Sequence, residues 1–298
     1  HRDLPSFPTR RSSDLQIICD KTTAATHCPY CGNPVIMMGQ FKGDLRPDCV
    51  IPFKLDKDAA IAAFKQHLQG KALLPKAFKD NNHIEEIKGV YVPFWLFNSE
   101  ADAHINYRAT RVKTWSDRRY IYTDTSYYSV VRKGTLAFEN IPVDSSSKIS
   151  NDITESLEPY DLSQAVDFQT AYLSGYLADR YDVTEVKSVE RANQRVCKST
   201  ETEFAATVTG YASVRTENVN IRLNNAKARY ALFPVWLMTT KWNNQIYLFA
   251  MNGQTGKFVG NLPMDGGAFL KWMFGIAGAV AAGALTLMWL FWLMGGGF

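Results

Sequence analysis

Cys28 and Cys31 stand two residues apart in THCPYCGNPV, the stretch of this chain with the plainest chemistry. Two thiolates at that spacing can occupy two corners of a zinc tetrahedron from one tight turn. Pro29 stiffens the turn, and Gly32 lets backbone amides approach the sulfur. The pair reads as half of a metal knuckle, with a redox dithiol as its rival. The remaining cysteines are Cys19, Cys49 and Cys197, each alone. Either a further Cys-x-x-Cys completes the tetrahedron, or Cys19, Cys28, Cys31 and Cys49 form it unaided. Cys19 and Cys49 sit in apolar runs, QIICD and CVIPF, where a free thiol behaves as a small hydrophobe. His27, beside Cys28, reads as a solvated loop residue.

The first fifteen residues bear on that choice. HRDLPSFPTRRSSDL matches the translation of a common sequencing adapter with one residue different, so residues 1–15 are expected to be artefactual. A lost Cys-x-x-Cys is expected just before Gln16. Five cysteines without a repeating framework argue for a reducing compartment rather than a disulfide scaffold. The formal charge of +4 falls to about +3 without residues 1–15, and the cations are scattered, so composition does not demand a nucleic acid.

At the other end, residues 272–294 run 23 positions without a charge, longer as a helix than the roughly 30 Å of bilayer hydrocarbon. A transmembrane helix is expected over residues 269–295. Trp272, Trp289 and Trp292 stand where an interfacial aromatic belt belongs. Lys257 and Lys271 precede the span, which predicts a single-pass cell-membrane protein with its bulk in the cytosol. Gly275, Ala279 and Gly283 repeat every four residues and could pair two helices into a homodimer.

Between these ends an α+β body is expected: a truncated zinc ribbon (16–49), a first half (50–143), a Ser-rich linker (144–161) and a second half (162–265). Asp56 should cap a helix facing inward through Ile61, Phe64 and Leu68 and ending near Gly70. Strands are expected at 90–97, 103–112, 127–131 and 135–138, with Lys133-Gly134 turning between the last two. Val183, Val186, Val189, Ala192 and Val196 predict a helix over 182–197, followed by strands at 203–214 and 218–223. A hairpin at 246–260 turns through Asn252-Gly253 and Gly256. PFWLF at 93–97 aligns without a gap on PVWLM at 234–238, suggesting two related halves built of antiparallel strands. Trp95 and Trp236 read as a binding platform or, more simply, as core.

CPYCGNP, DCVIPFKLDKDAA, GVYVPFWLF, NIPVDSS, YLSGYLADRYDV, ARYALFPVWLM and AMNGQTGKFVGNLP occur in that order. Together they resemble bacterial membrane proteins with an amino-terminal zinc ribbon of the transcription-factor-IIB type. The resemblance runs from Gln16 to the membrane helix and implies zinc as the bound ion, its site incomplete here. Some such proteins carry primosomal-helicase labels, but GQTGKF at 253–258 has neither the spacing nor the hydroxyl of a P-loop. No catalytic constellation is evident. Asp179 and Asp182, beside Tyr176 and Tyr181, could form an acid pair but read more simply as helix-capping residues, and His104 has no assignable partner. The expected function is a non-catalytic interaction or scaffold module at the membrane with an unidentified protein partner. Nucleic-acid binding through the ribbon is the alternative, and an enzyme using a cleft between the halves a third.

Overall fold

The computed structural model describes residues 20, 22–27, 34–41, 43–80, 84, 86–226 and 228–293. Its principal elements, in chain order, begin with strands β1 (Thr23–His27), β2 (Pro34–Ile36) and β3 (Cys49–Val50), then helices α1 (Lys57–His67) and α2 (Lys76–Asp80). Strands β4 (Glu86–Ser116) and β5 (Ile121–Asp144) lead to α3 (Asn151–Ser156), β6 (Val166–Asp167), β7 (Leu177–Asp179) and α4 (Glu185–Ala206). Strands β8 (Ser213–Asn225), β9 (Arg229–Trp242), β10 (Gln245–Asn252) and β11 (Phe258–Gly260) precede the last helix, α5 (Gly266–Leu293). The architecture is mixed α+β with one C-terminal apolar helix.

Strand β4 is the spine. Its first part pairs with β9 on one edge and β7 on the other, and its second part with β8 and β5. Residues 89–97 include the run VYVPFWLF because both faces of the sheet are covered there; Val90 to Phe97 are all buried. Farther along, Ala101, Ala103, Ile105, Tyr107 and Ala109 are buried while Asp102, His104 and Arg108 are exposed. That alternation marks one covered face, and α4 covers it, bringing Phe204 and, just after the helix, Val208 against Ile105 and Tyr107. At the base, Tyr91, Trp95 and Phe97 face one core cluster, and Val90, Val92, Phe94 and Leu96 face another with Ile51, Leu157 and Phe233.

The two expected halves do not form two bodies. All eleven strands among the described residues join one sheet, and the two tryptophan strands pair with each other, with Trp95 opposite Tyr230 and Trp236 opposite Gly89. Both motif prolines lie inside strands rather than at an edge, and the reason is a gap in the neighbouring strands. The Pro93 carbonyl accepts from Ser145 N, one residue past the end of β5. The Pro234 carbonyl accepts from Gly253 N, one residue past β10. Each missing N–H therefore falls where no strand asks for it.

Three other expectations are corrected. No turn occurs at Lys133-Gly134: β5 runs straight through, and the reversal lies at 117–120, where Asp117 Oδ1 accepts from Arg119 N and Tyr120 N at 2.8 Å each. Gly134 is not demanded by space, since a Cβ there would make only an ordinary contact with the Phe204 ring at 3.6 Å. The helix expected to end at 197 continues to Ala206, because Ser188, Ala192, Val196, Thr200 and Phe204 extend its buried stripe at every fourth residue. The stretch expected as a linker is tied into the body: it carries α3 and buries Ser145, Ser146, Thr154 and Leu157. The α1 reading agrees, with Asp56 capping Ala59 N at 2.8 Å, Phe64 and Leu68 buried, and Gly70 in the left-handed region at φ +70°. Of the 252–256 turn, Gly256 has positive φ, whereas Gly253 is needed for space, its virtual Cβ lying 2.6 Å from the Phe53 ring.

Candidate functional site

Two polar features meet at the start of α4: a cavity beside Trp95 and a carboxylate seam behind it. The segment 179–185 connects them, because it leaves β7, crosses the end of β5 and enters α4. Val183 N and Asp182 N both donate to Ser145 O at 3.1 Å, which fixes the crossing.

The cavity encloses about 440 Å³ and is lined by Arg46, Asp48, Trp95, Tyr181, Glu185 and Tyr230, among others. Its wall is aromatic. Trp95 lies 4.9 Å from Tyr181 and 5.4 Å from Tyr230 by ring centroid, and the two tyrosines meet edge-on at 5.1 Å. Burial pushes the Tyr230 hydroxyl well above the ordinary phenol range, so it stays protonated. The indole N–H of Trp95 donates to Val183 O at 2.9 Å, leaving the ring to pack rather than to bind through its nitrogen. Both acids at the mouth are engaged in holding the start of β9. Asp48 Oδ2 accepts from Tyr230 N at 2.7 Å, and Glu185 Oε1 accepts from Ala228 N at 2.9 Å. The cavity can therefore stack an apolar or planar group, with Arg46 as the cation at its edge; it presents no nucleophile paired with a base.

The seam gathers Asp144, Asp179 and Asp182. Burial lifts the Asp144 carboxyl to about 6, against the pull of Ser146 N at 2.9 Å and the Thr154 hydroxyl at 3.2 Å. Asp179 is also raised by burial, opposed by Lys148 Nζ at 2.6 Å. Asp182 accepts from Ser147 N at 2.8 Å and from the Ser147 hydroxyl. Neither Asp179 nor Asp182 caps α4; the N-cap position belongs to Thr184. These acids pin the 144–148 loop to the 179–182 segment, and burial raises the carboxyls of both Asp144 and Asp179.

Cys28 and Cys31 lie outside the described residues, as do Cys19 and residues 1–15. Strands β1 and β2, which flank the pair in sequence, pair antiparallel with His27 opposite Pro34. Cys49 is buried in an apolar cluster with Ile51 and Val90, and burial raises its thiol, which suits a packing residue rather than a ligand thiolate. Among the described residues no group of three or more His, Cys, Asp or Glu is placed to hold a metal. Trp236 is core, its N–H donating to Leu55 O at 2.9 Å and its ring against Phe53 at 5.3 Å.

No family model and no solved structure matches this chain. It is 36% identical over 263 residues to the uncharacterized protein YdjG of Bacillus subtilis strain 168, spanning 88% of this chain and 76% of that protein. This chain belongs to the YdjG family. Sequence reasoning missed Asp144 and Ser147 of the seam in this YdjG relative because Ser-rich composition reads as linker. A usable signal was present: Ile141 and Val143 alternate with Pro142 and Asp144, so a strand pattern reaches the first residue of the serine run.

Proposed function

We propose that this YdjG-family chain is a single-pass, membrane-anchored interaction module with its body in the cytosol, its ribbon zinc held in part by Cys28 and Cys31. The observation that carries the reading is α5. From Gly266 to Trp292 it is long and apolar enough to cross a bilayer, and none of its most hydrophobic window is buried by the body. Such a surface is stable only in lipid or against a partner. The body offers a spine strand with a projecting arm and a small aromatic cavity, both suited to holding another molecule.

The test is fractionation of cells expressing the chain, followed by protease treatment of sealed membranes. The chain should stay in the pellet after alkaline carbonate washing and be digested only from the cytosolic side. Release by carbonate would end the anchor reading, and protection of the body would reverse its orientation. In the purified chain, C28S/C31S should lower bound zinc; unchanged metal content would remove the zinc assignment.

A further inference from the structure

The spine strand and β5 outrun everything that packs on them. Pairing with β8 stops at Thr110 opposite Ser213, and the α4 cover reaches no farther than Ala109, Val130 and Val208. Beyond that point β4 and β5 continue as a bare two-stranded ribbon to the turn at 117–120, with Trp115 opposite Tyr122 and Ser116 opposite Ile121. Residues 111–125 are all exposed. A two-stranded ribbon is marginal in water by itself, so this one calls for a surface to lie on.

The ribbon's chemistry names that surface. Tyr120 and Ile121, at the apex, are 63% and 76% exposed, and Trp115 stacks on Tyr122 at 5.6 Å. Around them stand the cations Arg111, Lys113, Arg118 and Arg119, with Lys113 over the Trp115 ring at 5.9 Å and Arg111 over Tyr128 at 5.2 Å. Of the two acids in 111–125, Asp117 is turned onto the backbone of Arg119 and Tyr120 and Asp124 stands opposite Lys113, so the ribbon keeps a net charge of +2. An apolar apex ringed by aromatic residues and cations matches the boundary between phosphate headgroups and acyl chains. A nucleic acid would want the cations and the stacked rings but has no place for an exposed isoleucine at the foremost point.

We propose that the apex of the β4–β5 arm docks on the surface of an anionic phospholipid bilayer. Strand β4 makes this a second contact, separate from α5. Its first residues lie by Trp242 and α2, and the link before α2 holds α5 through Asp265 N to Leu73 O at 2.9 Å. From there β4 runs 31 residues, a contour of about 100 Å at 3.3 Å per residue, to an apex at its other end.

The full chain, reconstituted in phosphatidylcholine nanodiscs, should co-float with added vesicles of phosphatidylcholine mixed with phosphatidylglycerol and not with phosphatidylcholine vesicles. R118A/R119A should weaken that retention by about thirtyfold. Y120S/I121S should lower it at least about tenfold. I246S, at an exposed site on β10, should leave it unchanged. All four proteins should keep the same melting temperature, which separates lost docking from lost folding. Equal retention on neutral and anionic vesicles, or indifference to both double substitutions, would overturn the proposal. Selective capture of single-stranded RNA or DNA through the same residues, without any lipid effect, would overturn it in favour of a nucleic acid. A chain that fails to enter nanodiscs contradicts the anchor alone, and its apex is then assayed directly on the same vesicles.

Discussion

Trp95 and Trp236 occupy the same place in matching motifs and are anchored in the same way, yet one borders a cavity and the other closes a wall. Each indole donates at 2.9 Å to a carbonyl two residues before a helix, Val183 ahead of α4 and Leu55 ahead of α1. The difference lies in what faces the ring. Phe53 stacks on Tyr176 at 4.1 Å beside Trp236, and Gly89 admits them where a Cβ would meet Tyr176 at 2.6 Å. Opposite Trp95 stand the Arg46–Asp48 segment and the first turn of α4, whose charged groups cannot close on an aromatic ring without losing water. One motif thus yields a seal or a window according to the polarity of the segment brought against it.

The largest expected effect breaks the sealed side. W236A should destabilise the detergent-solubilised chain by about 3–5 kcal/mol in urea unfolding, because the rings around it cannot collapse into the void. W95A should cost clearly less, since its void opens into an existing cavity; equal losses would erase the distinction.

Next is the seam behind the window. The folded Asp144 carboxyl is raised to about 6, above its unfolded value, so the native state holds the proton more tightly. Stability should therefore fall as pH rises from about 4 to about 6 and then level off. D144N should flatten that slope and raise stability at neutral pH by up to about 3 kcal/mol. A slope undiminished in D144N would place the titration elsewhere, with Asp179 as the other raised carboxyl.

The smallest expected effect sharpens the sealed side. G253A places a methyl 2.6 Å from the Phe53 ring and 2.9 Å from Pro234 Cβ, and should cost about 1–3 kcal/mol by overpacking. A neutral result would show that the Phe53–Tyr176 stack can slide.

The legible parts of this fold were those that local physics decides. The cap at Asp56, the inward face of α1 and the long apolar helix follow from side-chain type and period, and each stands where the residues put it. What was not legible depends on partners distant in the chain. Lys133-Gly134 has the composition of a turn, but β4 holds it as strand, with Lys133 opposite His104 and Gly134 opposite Ala103. The serine run at 144–148 looks solvent-loving until Asp182, thirty-five residues beyond Ser147, binds its backbone and a hydroxyl. Trp95 could be recognised as buried; the cavity beside it required knowing that Arg46 and Glu185 would arrive there.

The spine strand also sets an order of events during synthesis. β4 can zip to β5 as soon as the reversal at 117–120 has been made, whereas Tyr230 follows its partner Trp95 by 135 residues. Until β9 emerges, the most apolar part of the sheet has one bare edge, a template for sticking to neighbouring nascent chains. Helix α5 is translated last of all the described elements, so the ribosome finishes the sheet before this long apolar helix emerges.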